Sequence, residues 1–329
     1  MAVSVRCWCR VDLAGGTLDI WPLGLLHEDA RTVNLAIEVP VVVRVSRLDA
    51  GFSVEQSGER VRASTAQKLA AHTATDLIGE VLHEIDSGPV AVEIDSASPR
   101  GGGLGASSAL VVALIAAVET LEGRQLSSAR EASAMARDLE ARLMGKPTGR
   151  QDHFPAHYGG ALEILHSAGG ERVRQLEIDL EGLGRSLIVA NTGRSHFSAG
   201  NNWEVVRRRL DGVQESIELF DGICSAARDL LQALEAGDLP EVGRQMSREW
   251  SFRRQLAAGV STPEIERLLT SALEAGAWGG KVTGAGGGGC LAILASAEQR
   301  SAVCAALEAG GAQVLEVGPA EGGLLIEEL

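Results

Sequence analysis

From Pro89 the chain reads "PVAVEIDSASPRGGGLGASSALVVALIAAVETL", an alternating stretch, four glycines within five positions, two serines and an apolar run. Alternation fits a half-buried strand, and the run from Ala109 is too short to span a bilayer and turns acidic at Glu119, so it reads as a buried helix. Strand, glycine loop and helix in that order constrain the fold more than any other segment. The first N–H groups of a helix have no intrahelical partner, and their partial positive charge draws an anion. Glycines without Cβ let the backbone turn sharply and close on it. Ser107 and Ser108 add hydroxyls for phosphate oxygens or for a phosphate-bound metal. A flexible connection ending in a serine cap fits the same residues equally well. The Walker pattern is absent, because no Lys follows the glycines. Gly101, Gly103 and Ala106 match G-x-G-x-x-A, yet Pro99 and Arg100 intrude where a dinucleotide loop joins its strand tightly to its helix.

A chain of 329 residues that is 45% hydrophobic can build two cores or one large one. Its net charge of −14 offers nothing general to nucleic acid or to anionic lipid, and neither is expected as a partner. Five cysteines, none in a C-x-x-C pair, fit reduced thiols and a cytoplasmic location. The N-terminus has no basic region leading into an apolar signal core. "VNLAIEVPVVVRVSRL" predicts strands, residues 66–85 a helix, "GGERVRQLEIDLEGLGRSLIVANTG" paired strands around turns, and residues 202–256 long amphipathic helices. A domain boundary is placed at 180, giving an N-terminal domain over 1–180 and a C-terminal one over 181–329.

Three further stretches draw attention. A second glycine cluster, "KVTGAGGGGCLAIL", enters a strand and not a helix. "GRQDHFPAHYGG" carries His153 and His157 four apart, but Phe154 stands where a zinc protease helix needs Glu, and Pro155 disfavours a helix interior. "TGRSHFSAGNNWE" gathers polar side chains after a strand, suiting either a ligand-closing loop or a capped connection.

Four segments in order resemble the GHMP kinase superfamily, named for galactokinase, homoserine kinase, mevalonate kinase and phosphomevalonate kinase. They are "RVDLAGGTLDIWP" from Arg10, "PRGGGLGASSAL" from Pro99, "GKPTGRQDHFPAHYGGALEI" from Gly145 and "KVTGAGGGGCLAIL" from Lys281. The first and third are most similar to the fucokinase and heptose 7-phosphate kinase branch. The resemblance spans nearly the whole chain. It implies an α+β fold of two domains, the N-terminal one like domain 2 of ribosomal protein S5 and the C-terminal one a ferredoxin-like α/β sandwich, with ATP and acceptor between them.

The resemblance also implies roles. Asp152 matches the catalytic Asp, and Arg10 the basic residue that pairs with it. Pro99, Gly101, Gly102, Gly103, Leu104, Gly105, Ala106, Ser107 and Ser108 are expected around the ATP phosphates, with Gly286 and Gly287 of the second cluster. Ser107 and Glu140 are expected on Mg²⁺, which favours hard oxygen ligands. Gly16, Thr17 and Asp19 are expected at the acceptor, Asp19 on sugar hydroxyls. His153, in place of the family's usual Gln, is expected near the acceptor pocket, and Arg194, His196 and Asn201 at acceptor hydroxyls or a phosphate. Trp8 stands where the family often has Pro.

The activity so implied is Mg²⁺-dependent transfer of the ATP γ-phosphoryl group to a hydroxyl, with the anomeric one expected, of a sugar or sugar phosphate such as heptose 7-phosphate or fucose. The protein is expected as a monomer or homodimer. One alternative is an isoprenoid or amino-alcohol kinase of the same fold, against which Asp19 argues. The other is a non-catalytic sugar sensor, against which Arg10, Ser107, Glu140 and Asp152 argue.

Overall fold

The structure, a computed structural model, describes residues 2–194 and 201–329. Its strands form two sheets. The first takes β1 (Ala2–Ala14), β2 (Arg31–Arg47), β3 (Phe52–Gln56), β4 (Glu59–Ala63), β5 (Val90–Ser96), β6 (Ala161–Ser167) and β7 (Gly170–Gln175). The second takes β8 (Leu187–Asn191), β9 (Gly279–Val282), β10 (Cys290–Leu294) and β11 (Gln313–Leu315), in the order β11-β8-β10-β9 and antiparallel throughout. The last strand, β12 (Leu325–Glu328), returns to the first sheet and pairs with β1. That sheet runs β12-β1-β2-β5-β3-β4, with β6 and β7 hung on the early half of β2. Both ends of the chain therefore contribute to it.

The helices in the first half are α1 (Ala66–Ala70), α2 (Asp76–Glu84), α3 (Ala106–Glu122), α4 (Ala129–Met144), α5 (His153–Tyr158) and α6 (Leu180–Ser186). The second half has α7 (Asn201–Leu210), α8 (Gln214–Glu235), α9 (Leu239–Arg253), α10 (Pro263–Glu274) and α11 (Ala297–Ala309). α3 is apolar on every face because it is buried on every face, from Val111 through Val118. α4 starts on a capping box between Ser128 and Glu131 and stops at Gly145, whose φ of 64° ends the helix in the left-handed region. Among the described residues no helix is long and apolar enough to cross a membrane.

Two expectations about local structure change. Residues 66–85 form two helices, because the Thr75 hydroxyl donates to the Leu69 carbonyl at 2.9 Å and folds the chain back on itself. Gly79 then packs so close to Ala70 that an added Cβ would lie 2.1 Å from its backbone nitrogen. The stretch expected as paired strands instead gives β7, α6 and β8, and only β8 joins the second sheet. Asp179 caps α6 by accepting from Gly182 N–H, a local interaction that outcompetes extension. The expected boundary at 180 falls at the start of this helix.

The register between β1 and β2 breaks twice, between Trp8 and Cys9 and between Asp12 and Ala14. Such irregularities re-aim side chains, and this pair brackets Arg10 and Asp12.

Candidate active site

The glycine loop and the N-terminus of α3 form one wall of a cleft of about 340 Å³. Gly101, Gly103 and Gly105 sit at φ of 66°, 68° and 75°, values that side chains with Cβ rarely adopt. No side chain caps α3, so its first N–H groups are free to meet an anion. The loop is held from behind: the Gly103 carbonyl accepts from Arg10 Nη1 at 2.6 Å and from Thr283 Oγ1 at 3.0 Å. A Cβ on Gly284 would lie 2.9 Å from Gly103 Cα, so the two glycine clusters touch back to back. Pro99 and residues 101–108, the stretch expected around the phosphates, line this cleft.

Against this wall Arg10 clasps Asp152. Its Nε lies 2.7 Å and its Nη2 2.5 Å from one carboxylate oxygen, Oδ1. Arg10 is 3% exposed and Asp152 26%, so the carboxylate reaches the cleft while the guanidinium supports it from within. Burial alone would lower the Arg10 pKa, but the charges of Asp152, Asp12 and Asp19 and the hydrogen bond to Asp152 together outweigh it, and the guanidinium stays protonated. Asp152 also leans on the glycine loop, for a Cβ on Gly105 would lie 3.2 Å from its own Cβ.

Ser107 Oγ donates to Glu140 Oε1 at 3.0 Å, and Ser108 Oγ approaches the same oxygen at 3.4 Å. Glu140 is buried and faces the cleft, so a hydroxyl and a carboxylate converge beside the glycine loop. These are hard oxygens of the kind Mg²⁺ takes, and a carboxylate this buried gains from a cation. His153 lies behind Glu140, fully buried, with Nε2 at 3.6 Å from Glu140 Oε2 and Nδ1 at 3.2 Å from the Arg150 carbonyl. It does not line the cleft, which corrects its expected place at the acceptor. The short helix α5 turns its side chain inward, toward α4. His157 is likewise tucked away, and burial lowers its pKa to about 4.

Other expected residues divide. Thr17 and Asp19 line the cleft, but Gly16 does not: it packs on Asp12 and Arg253, where a Cβ would lie 2.1 Å from Asp12 Oδ2. Gly286 and Gly287 are turned away from the cleft as well. Gly287 N–H donates to the Val260 carbonyl at 2.7 Å and a Cβ on Gly286 would strike that same oxygen, so Gly284 and Ala285 face the cleft in their stead. Arg194 forms an ion pair with Glu264. His196 lies outside the described residues, as does the side chain of Asn201.

Sequence reasoning missed a buried charge cluster at the cleft floor. Arg253 Nη1 lies 2.8 Å from Asp12 Oδ2, and Lys281 Nζ lies 3.2 Å from Asp12 Oδ2 and 2.9 Å from Glu249 Oε1. All four side chains are at most 2% exposed. The Lys281 contacts are close approaches of charge without hydrogen-bond alignment. Burial pushes Asp12 up, but Lys281, Arg253 and Arg10 outweigh it and hold the carboxyl below its usual range. Arg253 also donates to the Gly284 carbonyl, so the cluster ties β1, α9 and β9 to the second glycine loop. Asp12 and Lys281 stood inside the motifs already quoted, and only their burial was invisible.

Models of two families match the chain: the GHMP kinases N-terminal domain over residues 67–160 and the GHMP kinases C-terminal domain over residues 230–313. The mevalonate kinase of Thermococcus onnurineus is 33% identical over 300 residues, covering 87% of this chain and 84% of that protein. The mevalonate kinase of Pyrococcus furiosus is 32% identical, covering 85% and 83%. Among solved structures, a D-glycero-D-manno-heptose 1-phosphate kinase from Bacteroides thetaiotaomicron superposes with a TM-score of 0.77 at 19% identity, covering 99% of each chain. Galactokinase of Lactococcus lactis with galactose gives 0.78 at 15%, covering 98% of this chain and 95% of that one.

Proposed function

Because the chain belongs to the GHMP kinase family, we propose that it transfers the γ-phosphoryl group of ATP to a hydroxyl of a small polar acceptor, a sugar or sugar phosphate. The observation that carries this reading is that the Arg10–Asp152 pair, the uncapped glycine loop and the Ser107–Glu140 pair line one cleft together. Phosphoryl transfer asks a protein mainly for phosphate cradling, charge neutralisation and an aligned nucleophile. Backbone N–H groups of the loop bind the phosphates. Asp152 accepts or orients the proton of the acceptor hydroxyl through the oxygen that Arg10 leaves free. Arg10 holds that carboxylate in place and offsets charge developing beside it. Ser107 and Glu140 would hold Mg²⁺, which when bound neutralises phosphate charge.

The acceptor class rests on the wall beside Asp152. Thr17, Lys146, Thr148, Gln151 and Asn202 line it, a surface suited to a polyhydroxylated molecule. The mevalonate kinase relatives favour a second reading, in which the acceptor is mevalonate. Initial rates with Mg·ATP over heptose 7-phosphate, fucose, galactose, homoserine and mevalonate separate the two. The first reading expects the largest kcat/KM for one of the sugars, and a preference for mevalonate overturns it. Tight sugar binding without turnover would favour a sensor.

The metal assignment has its own test. Glu140→Gln is expected to raise the Mg²⁺ concentration for half-maximal rate by about 10–100-fold at fixed ATP, as losses at metal ligands and their supports commonly do. An unchanged Mg²⁺ dependence removes Glu140 from the metal site.

A further inference from the structure

Asp19 was expected to meet acceptor hydroxyls, yet the donors around it are all its own chain. Oδ1 accepts from Thr17 N–H at 3.0 Å and from Gln151 Nε2 at 3.3 Å. Oδ2 accepts from Arg150 N–H at 2.8 Å and Gln151 N–H at 3.2 Å. An ionised carboxylate has about four lone-pair sites. All are taken, and the residue is 6% exposed.

Three of those four bonds join two distant segments. Asp19 follows the turn that ends β1, the strand carrying Arg10, while Arg150 and Gln151 immediately precede Asp152. We propose that Asp19 is a positioning residue that clamps the Gly149–Gln151 turn to the end of β1, fixing Asp152 in register with Arg10 and the phosphate loop. The proposal rests on the phosphoryl-transfer reading for what Asp152 then does, but the clamp itself stands on geometry.

A second observation points the same way. A Cβ on Gly149 would lie 1.9 Å from Asp19 Oδ2, so the clamp closes only over glycine. The Arg150 side chain turns away to pair with Glu171, leaving its backbone amide as its contribution here. "GRQD" thus divides its labour. Gly149 admits the carboxylate, Arg150 and Gln151 supply the amides that hold it, and Asp152 faces the cleft. Burial, then the nearby Asp152 charge, raise the Asp19 pKa to about 6, showing that the protein keeps a carboxylate here at an electrostatic cost.

An acceptor ligand and a clamp differ in what their loss changes. For Asp19→Asn the clamp expects kcat to fall by about 10²-fold, the scale of a misplaced reacting group, with acceptor KM within about threefold. Parallel series offer each candidate acceptor of the panel, mevalonate and heptose 7-phosphate among them. Amide hydrogen exchange at Arg150 and Gln151 should accelerate by at least about tenfold once their acceptor is lost. Gly149→Ala should reproduce both effects, and adding it to Asp19→Asn should cost little more, because the two changes break one contact. A rise in acceptor KM with kcat and exchange unchanged, or a Gly149→Ala protein with native kcat, overturns the proposal. If wild-type protein turns over no acceptor of the panel, the acceptor reading fails. Exchange at the two amides still decides the clamp, unchanged rates in Asp19→Asn refuting it. Should Asp19→Asn not fold, Gly149→Ala carries the same comparison.

Discussion

Asp152→Asn is expected to lower kcat by about 10²–10⁴-fold while leaving the nucleotide KM near its native value. Asn keeps the shape of the side chain and one acceptor oxygen but cannot take a proton. Arg10 meanwhile loses the charge it neutralises, so two of the demands of the reaction fail together. The phosphate loop contacts Arg10 and Thr283 through the Gly103 carbonyl, neither of which this substitution removes, and so nucleotide binding should persist. Steady-state rates with ATP varied at saturating acceptor check the split. Native kcat in Asp152→Asn removes Asp152 from the chemistry.

Lys281→Met is expected to destabilise the fold by about 3–5 kcal/mol, the usual cost of breaking a buried ion pair from one side. Met fills much of the same volume, so the loss is of charge more than of packing. Asp12 and Glu249 are then left in direct contact with one cation, Arg253, with Arg10 acting on Asp12 only from farther away, in a buried site. Burial already pushes the Glu249 carboxyl upward even with Lys281 in place, so its protonation is the chain's first recourse when the ammonium is gone. Urea denaturation followed by circular dichroism reads the change as a lowered midpoint with the slope retained. A midpoint within experimental scatter of native means the cluster is not holding the sheets together. The expected loss is large against a whole-domain stability of roughly 5–15 kcal/mol.

The parts of this site legible in the sequence are those whose chemistry is local. The glycine loop, Ser107 and the start of α3 follow from a short run in which backbone freedom and helix N–H groups lie next to one another. Arg10, Asp152 and Glu140 came from motif resemblance, and the fold does bring all three to one cleft. What stayed hidden depends on which distant segment a side chain meets. Asp19 reads as a ligand of acceptor hydroxyls until Arg150 and Gln151, more than 130 positions on, are seen to donate to its oxygens. His153 reads as an acceptor contact because it neighbours Asp152, but adjacent residues on a helical turn point in different directions, and its ring goes to Glu140. Gly286 and Gly287 belong to a motif whose outer face meets Val260, while Gly284 faces the cleft. At α6, alternating apolar residues promised strand, and a single Asp cap at 179 decided for helix.

The central claim is that one cleft moves a phosphoryl group from ATP to an acceptor hydroxyl. Incubating the protein with Mg²⁺, ATP carrying ¹⁸O in its γ-phosphoryl group and the acceptor panel, then analysing products by mass spectrometry, tests it most directly. The account predicts one acceptor converted to a phosphate monoester bearing the label, with one ADP formed per ester. Labelled inorganic phosphate alone, or unconsumed ATP with every acceptor, contradicts it.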